Sequence, residues 1–98
     1  MAIKACIKRK IKEGKKEDAA RLIIKARSAA MGQEGYISSE NLSNCKDPNI
    51  LMVVSTWQSE DKWLKWKDSD VRKLIEAEFA EVSSAPAEYD TYYLGFKL

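Results

Sequence analysis

The run Ile50-Leu51-Met52-Val53-Val54-Ser55-Thr56-Trp57 decides the fold of this 98-residue chain. Its first five residues are all apolar, and it follows the sequence Lys46-Asp47-Pro48-Asn49, whose residue types favour a turn. A short apolar run that follows such a turn is typical of a β-strand. Successive side chains of a strand point to opposite faces, so both faces of this strand are apolar.

The two apolar faces of this strand must be buried against two different packing partners. Each face carries three apolar side chains: Leu51, Val53 and Trp57 on one, and Ile50, Met52 and Val54 on the other. Helices cover only one face of the sheet in a two-layer domain. Burial of one aliphatic side chain is worth ~1.5–3 kcal/mol, so the second face would be a costly apolar patch if it stayed exposed. We therefore expect a homodimer in which two copies pack through their sheet faces.

The sequence before this strand predicts a strand, a helix and a second strand. Residues Ile3–Ile11 alternate between apolar and basic side chains, with Arg9 on the apolar face, which predicts a strand. Residues Lys15–Met31 are rich in alanine and carry apolar residues at three-to-four spacing, so we expect a helix that ends at Gly32. Residues Gly35–Asn44 predict a polar strand that forms a hairpin with the apolar run.

The sequence after the apolar run predicts a broken helix and a last strand. Ser59 and Ser69 are both followed by acidic residues, which is typical of a helix start, so we expect a two-part helix over residues 60–82. The tyrosine-rich residues Tyr89–Phe96 predict the last strand. The whole order indicates one α+β domain, residues 1–98, of the ferredoxin-like βαββαβ type. Its antiparallel four-stranded sheet is expected to carry the helices on one face.

Composition and charge are those of a small globular protein. The chain is 45% hydrophobic and 33% charged, with a net charge of +2. It contains no apolar run near the ~20 residues of a membrane-spanning helix, and its first residues do not resemble a secretory signal. We therefore expect a cytoplasmic protein that does not associate with membranes.

Positive charge is concentrated in the first 16 residues, which hold seven basic residues and one acidic residue. Such a cluster can attract nucleic acid or another polyanion, with binding that weakens steeply as salt is added. However, Lys4, Lys8, Lys10 and Lys12 alternate with apolar residues, which is the pattern of a polar strand face. Nucleic-acid binding is therefore not expected, and these lysines favour a partial dimer contact on that face.

The residue inventory excludes several kinds of catalytic site. Because the chain has no histidine, it cannot form a Ser-His-Asp or Cys-His site, nor use a histidine base. Its four glycines form neither a dinucleotide-binding motif nor a phosphate loop. Cys6 and Cys45, expected to be reduced thiols, lack the further ligands of a zinc site. We therefore expect neither a metal nor a bound cofactor.

Residues 56–71 read TWQSEDKWLKWKDSDV, a block with three tryptophans and two serines at defined spacing after an apolar strand. With the βαββαβ order of nearly the whole chain, this block resembles the antibiotic biosynthesis monooxygenase (ABM) superfamily. The resemblance implies a dimeric α/β barrel with a pocket between each sheet and its helices. Members include oxygenases that oxidise phenols or quinols without a cofactor, and enzymes that degrade haem.

The match to the haem-degrading branch is incomplete. That branch uses an asparagine on the first strand, a tryptophan in the second helical region, and a histidine ligand to iron further along that region. Trp66 matches the tryptophan, but Ile7 stands at the approximate position of the asparagine and Glu76 at that of the histidine. Because the iron ligand is missing, haem degradation by that route is not expected.

The cofactor-independent branch implies a small aromatic or quinol substrate that supplies its own electrons. The catalytic candidates are Trp66 as a pocket wall, Arg9 as the group that holds a developing phenolate, and Glu76 as the base. The substrate-binding candidates share a predicted place around the pocket: they are Ser39, Asn41, Trp57 and Trp63.

Each candidate also has a purely structural interpretation. Tryptophans commonly fill cores and interfaces, Arg9 can lie at the surface or in an ion pair, and Glu76 can pair with Lys73 on the same helix. On that interpretation, the chain is a non-enzymatic ligand-binding or stress-associated homodimer of the same fold. Both alternatives stay open at the level of the sequence.

Overall fold

The computed structural model describes residues 1–96 and contains four strands and three helices. The strands are β1 (Ile3–Lys10), β2 (Tyr36–Ser43), β3 (Ile50–Trp57) and β4 (Glu88–Tyr93). The helices are α1 (Lys16–Met31), α2 (Glu60–Lys67) and α3 (Asp70–Val82). The predicted βαββαβ order is confirmed, with α2 and α3 as the two parts of the broken helix.

The strands form one antiparallel sheet in the order β2-β3-β1-β4. The central strand β1 pairs with both β3 and β4, so Ile7 lies between Val53 and Tyr89. Within residues 1–96, β2 and β4 each pair with one strand only, so the sheet of a single chain is not closed. A barrel of the kind that the resemblance implies therefore requires a second copy.

The break between α2 and α3 arises from two serine caps. Ser59 Oγ accepts a hydrogen bond from the Lys62 N–H at 3.3 Å, and Ser69 Oγ accepts one from the Arg72 N–H at 3.3 Å. Each serine satisfies a backbone donor that has no partner inside its helix. Among the residues described, no helix has the length and apolar character needed to cross a membrane.

The helices cover the face of the sheet that carries the odd-numbered residues of β1. One buried group, here called the tryptophan cluster, consists of Ile3, Ala5, Ile7, Ala30, Trp57, Trp63 and Trp66. A second buried group consists of Ile11, Ala19, Ile75, Phe79 and Val82. Arg9 lies on the same face of β1, between Ile7 of the first group and Ile11 of the second.

The other face of the sheet, here called the outer face, mixes apolar and charged side chains. Its apolar part, the outer stripe, is formed on β3 by the half-buried residues Ile50, Met52 and Val54. On β1, the side chains of Lys4, Cys6 and Lys8 share this face, and Lys4 Nζ donates a hydrogen bond to Thr56 Oγ1 at 2.9 Å. The alternation of the first strand therefore separates a buried face from a lysine-bearing one, as predicted.

One local expectation is wrong. β4 ends at Tyr93 rather than at Phe96, because its partner β1 begins at Ile3, directly opposite Tyr93. Helix α1 ends at Met31 with Gly32 as its C-cap, as predicted, and Gly32 has an ordinary negative φ of −84°. Gly35, directly before β2, has a positive φ of +89°. A Cβ on Gly35 would lie 2.5 Å from the Lys62 Cβ, so glycine lets the start of β2 approach α2.

Candidate active site

Arg9 is a charged side chain on an otherwise apolar strand face. The alternation of β1 directs it toward the helices, where only 5% of its surface is exposed. Its guanidinium carbon lies 3.7 Å from the centre of the Phe79 ring on α3. Stacking on an aromatic ring covers the flat face of the guanidinium and leaves its N–H groups directed sideways.

Glu76 receives those N–H groups. Arg9 Nη2 donates to both carboxylate oxygens of Glu76, at 2.8 Å and 2.7 Å. Arg72, one turn earlier on α3, donates from Nη2 to Glu76 Oε1 at 3.2 Å. Glu76 thus points inward and is shared by two arginines, instead of forming the surface pair with Lys73 that the sequence left open.

Tyr89 on β4 completes the group. Its hydroxyl donates to Glu76 Oε1 at 2.9 Å and accepts a hydrogen bond from Arg72 Nη2 at 2.8 Å. Burial raises the pKa of the Tyr89 phenol, and the hydrogen bond from Arg72 partly opposes that rise. Lys67 Nζ lies 4.6 Å from the centre of the Tyr89 ring and adds a further cation nearby.

We call Arg9, Arg72, Glu76 and Tyr89 the arginine cluster. It combines two guanidinium groups with a single carboxylate, and Arg9 and Arg72 are 5% and 6% exposed. Arg9 Nε is buried and has no hydrogen-bond partner. Because buried donors and charges are costly when unpaired, the cluster has capacity for one more acceptor.

The cluster opens onto a groove of about 600 Å³ between α3, β4 and the loop that joins them. We call it the α3–β4 groove; it is lined by Arg9, Glu76, Phe79, Ala80, residues 83–87 and Tyr89. Its walls are largely apolar, whereas its polar groups come mainly from the arginine cluster. A mostly apolar cleft with a few convergent polar groups is the usual form of a small-molecule site.

The three tryptophans lie in the packed interior. Trp57, Trp63 and Trp66 are 0%, 2% and 5% exposed, and none of them lines the α3–β4 groove. Trp57 Nε1 donates to Ser55 Oγ at 2.9 Å, and the Tyr36 and Trp57 rings form a T-shaped contact with 5.5 Å between their centres. This packing makes the tryptophan cluster a support for the neighbouring arginine cluster, because Arg72 lies 5.6 Å from the Trp63 ring centre.

The two polar candidates on β2 lie away from this groove. Ser39 Oγ shares a hydrogen bond with Tyr36 Oη at 2.9 Å. Asn41 is exposed and lines a different groove, of about 470 Å³, between α1 and the β2–β3 hairpin. The sheet order separates β2 from β4 by two strands, so the structure brings together Arg9 and Glu76 but not Ser39 or Asn41.

Sequence reasoning missed Arg72 and Tyr89. Arg72 precedes the buried residues Ile75, Phe79 and Val82 at helical spacing, so the sequence pattern could have placed it on the buried face of α3. The sequence pattern could not have predicted the role of Tyr89, because that role depends on β4 lying beside β1. Among residues 1–96, no group of three or more histidine, cysteine, aspartate or glutamate side chains is placed to hold a metal ion.

Comparison with known protein families gives a match that covers most of the chain. The family model described as antibiotic biosynthesis monooxygenase matches residues 2–85. No curated protein sequence matches closely enough to count as a relative.

Several solved structures share the fold. A conserved protein from Methanosarcina mazei Go1 is 23% identical with a TM-score of 0.86, over 94% of this chain and 91% of its own. SnoaB, a cofactor-independent oxygenase from Streptomyces nogalater, is 10% identical with a TM-score of 0.86, over 99% and 96%. Rv0793 from Mycobacterium tuberculosis is 9% identical with a TM-score of 0.86, over 99% and 98%. At these identities, the likeness establishes the fold alone.

Proposed function

Since the chain belongs to the antibiotic biosynthesis monooxygenase family, we propose that it oxidises a small phenol or quinol without a bound cofactor in the α3–β4 groove. The observation that carries this proposal is the arginine cluster at the end of an apolar groove. There, Arg9 and Glu76 place a cation and a carboxylate beside the same space. SnoaB, which shares the fold, is a cofactor-independent oxygenase, and this adds support.

Glu76 and Arg9 have different roles at the substrate hydroxyl. The Glu76 carboxylate, whose side chain is 22% exposed, accepts the hydroxyl proton. The Arg9 guanidinium stabilises the negative charge that develops on the substrate oxygen. Arg72 and Tyr89 hold Glu76 in place through hydrogen bonds of 3.2 Å and 2.9 Å, and act as positioning residues.

The anion of the substrate then supplies the electrons that reduce molecular oxygen. For a phenol with a free para position, one oxygen atom enters the ring at that carbon and the product is a quinone. The other oxygen atom leaves as water, with the phenolic hydrogen and the para hydrogen. Four electrons pass from the ring to O₂, so the reaction needs no further reductant.

Oxygen consumption with a panel of phenols and quinols tests this proposal. General-base catalysis typically contributes ~10²–10⁴-fold, so Glu76→Gln should lower the rate by at least about a hundredfold. Glu78→Gln is the matched control, because Glu78 lies on the same helix in an exposed pair with Lys25. Absence of oxygen consumption with every compound, or equal rates in the two variants, would contradict the proposal.

The proposed active form is a homodimer that packs through the outer face. The outer stripe gives this contact an apolar centre, and Leu42 and Tyr92 are exposed large side chains on the same face. A partner sheet would remove this surface from water, which favours association. Sedimentation of the wild type should show a dimer and that of Met52→Lys a monomer. A wild-type monomer at high micromolar concentration rules the dimer out.

The two cysteines provide a second test of this dimer. Cys6 lies on the outer face, whereas Cys45 is exposed in the β2–β3 turn, and both are free thiols. Burial, and to a lesser extent the Asp90 carboxylate, raise the pKa of the Cys6 thiol, so slow alkylation of Cys6 alone is not informative. We expect the ratio of Cys6 to Cys45 alkylation to rise on dilution. A ratio that is independent of protein concentration would contradict a contact through this face.

A second candidate function is ligand binding without turnover on the same scaffold. The packing of Trp57, Trp63 and Trp66 favours it, because the predicted pocket wall at Trp66 lies in a filled interior. On this alternative, the purified protein retains a small molecule and leaves it unchanged. Mass spectrometry of the bound molecule before and after exposure to oxygen separates the two functions.

A further inference from the structure

We infer that the α3–β4 groove selects aromatic ligands that carry an acidic group, and that Arg9 binds this group as an oxyanion. The inference deepens the proposed function and rests on it, because it names the substrate class of the same groove. The class comprises phenols that also carry a carboxylate, as opposed to phenols without an acidic group: Arg9 binds the carboxylate, and the phenolic hydroxyl keeps the proton that Glu76 removes. It follows from three properties of the groove.

The first property is an excess of positive charge in and beside the arginine cluster, of which Arg9, Glu76 and Tyr89 line the groove. Within the arginine cluster, Arg9 and Arg72 share the single carboxylate of Glu76. Lys67 adds a third cation, with its Nζ 4.6 Å from the centre of the Tyr89 ring. Buried positive charge that exceeds the available negative charge is stabilised by an anion, and an arginine binds an oxyanion through directional hydrogen bonds.

The second property is an unused donor on a buried side chain that lines the groove. Arg9 is 5% exposed, and its Nη2 is used by Glu76 while its Nε has no partner. Most buried donors in folded proteins have a partner, so a lone one at a cleft marks a position for a ligand acceptor. This N–H is itself buried, so a ligand oxyanion that enters beside Arg9 accepts from it after a small shift of the Arg9 side chain.

The third property is the shape and polarity of the walls. The Phe79 ring, stacked 3.7 Å from the Arg9 guanidinium carbon, borders the groove beneath Arg9 with only 2% of its surface exposed. Ala80, Pro86 and Ala87 also line the groove and supply apolar wall. An aromatic body fits against these apolar walls while its acidic group reaches Arg9. A simple inorganic anion would leave the walls exposed to water.

Isothermal titration calorimetry without oxygen tests the inference with two probes of the same size, 1-naphthoate and 1-naphthalenemethanol. Only the first carries a charge, and neither offers a phenolic proton. We expect 1-naphthoate to bind at least about tenfold more tightly, which equals ~1.4 kcal/mol. Arg9→Met should abolish this preference. Arg27→Met, which removes an exposed arginine of α1 outside the groove, should retain it.

The variant Glu76→Gln distinguishes a change in binding from a loss of folding, because its affinity for 1-naphthoate is expected to increase. Removal of the competing carboxylate should tighten 1-naphthoate binding, and a misfolded variant cannot produce that result. Equal affinity for both probes, no binding of either, or an anion preference that survives in Arg9→Met would each overturn the inference. Anion preference without oxidation of any phenol overturns the proposed function alone. Oxidation of phenols without an acidic group, with no anion preference, overturns this inference alone.

Discussion

The tryptophan cluster and the arginine cluster occupy the same sheet face but differ in what surrounds them. Both contain odd-numbered residues of β1: Ile3, Ala5 and Ile7 in the first, and Arg9 in the second. The first is a packed interior of buried, mostly apolar side chains, whereas the second meets a groove of about 600 Å³. We therefore assign a structural role to the first cluster and, under the proposed function, the chemistry to the second, although the sequence pointed to the tryptophans first.

The largest effect is expected in the tryptophan cluster. Trp57 is fully buried, and truncation of a buried aromatic residue to alanine costs ~3–5 kcal/mol. We expect Trp57→Ala to lower the free energy of unfolding by that amount in urea denaturation. Leu74→Ala is the control, because Leu74 is 72% exposed on α3 and its loss should cost less than ~0.5 kcal/mol. A small effect at Trp57 would show that this cluster is not a tight core.

A smaller loss of stability is expected in the arginine cluster. Glu76→Leu leaves Arg9 and Arg72 without their shared acceptor, but partial exposure of Glu76 reduces the penalty to about 2 kcal/mol. Glu78→Leu, at the exposed pair with Lys25, should change the free energy of unfolding by less than ~0.5 kcal/mol. Equal effects in urea denaturation would remove the distinction between the buried and the exposed pairs.

Substitution of Trp66 tests whether this residue only stabilises the fold or also contacts the substrate. Trp66→Phe keeps an aromatic ring in the tryptophan cluster and should cost about 1–2 kcal/mol of stability. Oxygen consumption per folded molecule should stay within about threefold of the wild type, well below the loss that removal of a catalytic base causes. A loss as large as that of Glu76→Gln would return Trp66 to the pocket wall predicted from the sequence.

The smallest expected effect is on the free energy of unfolding at alkaline pH. Burial raises the pKa of the Tyr89 phenol above that of tyrosine in the unfolded chain, about 10. The folded state therefore binds this proton more tightly than the unfolded state does. The contribution of the protonated phenol to the free energy of unfolding is fully present below pH ~10, and it is lost as pH rises through the pKa of the folded state. The free energy of unfolding of Tyr89→Phe should fall less steeply above pH ~10 than that of the wild type. Tyr92→Phe, at an exposed tyrosine of β4, is the control; identical slopes for wild type and Tyr89→Phe would contradict this account.

Local pattern was sufficient to predict most of the fold. Alternation placed Arg9 and the lysines of β1 on opposite faces, and Ser59 and Ser69 marked the two parts of the broken helix. The end of β4 was not predictable in this way, because it depends on where β1 begins. The same limit applies to Gly35, whose requirement for glycine comes from its contact with Lys62.

The candidate site was predictable only in part, since it is assembled from distant segments. Arg9 and Glu76 were proposed from residue type and family resemblance, and the structure joins them by hydrogen bonds of 2.8 Å and 2.7 Å. Tyr89 enters the same group because β4 is the neighbour of β1, a fact of strand order that no local pattern contains. Asn41 lies apart for the same reason, since its strand is on the far edge of the sheet.

A crystal structure of the protein with 1-naphthoate tests the central claim most directly. We expect the ligand to lie in the α3–β4 groove, with its carboxylate within hydrogen-bonding distance of Arg9 and its rings against Ala80, Pro86 and Ala87. A ligand seated among Trp57, Trp63 and Trp66, or in the groove beside Asn41, would contradict this claim.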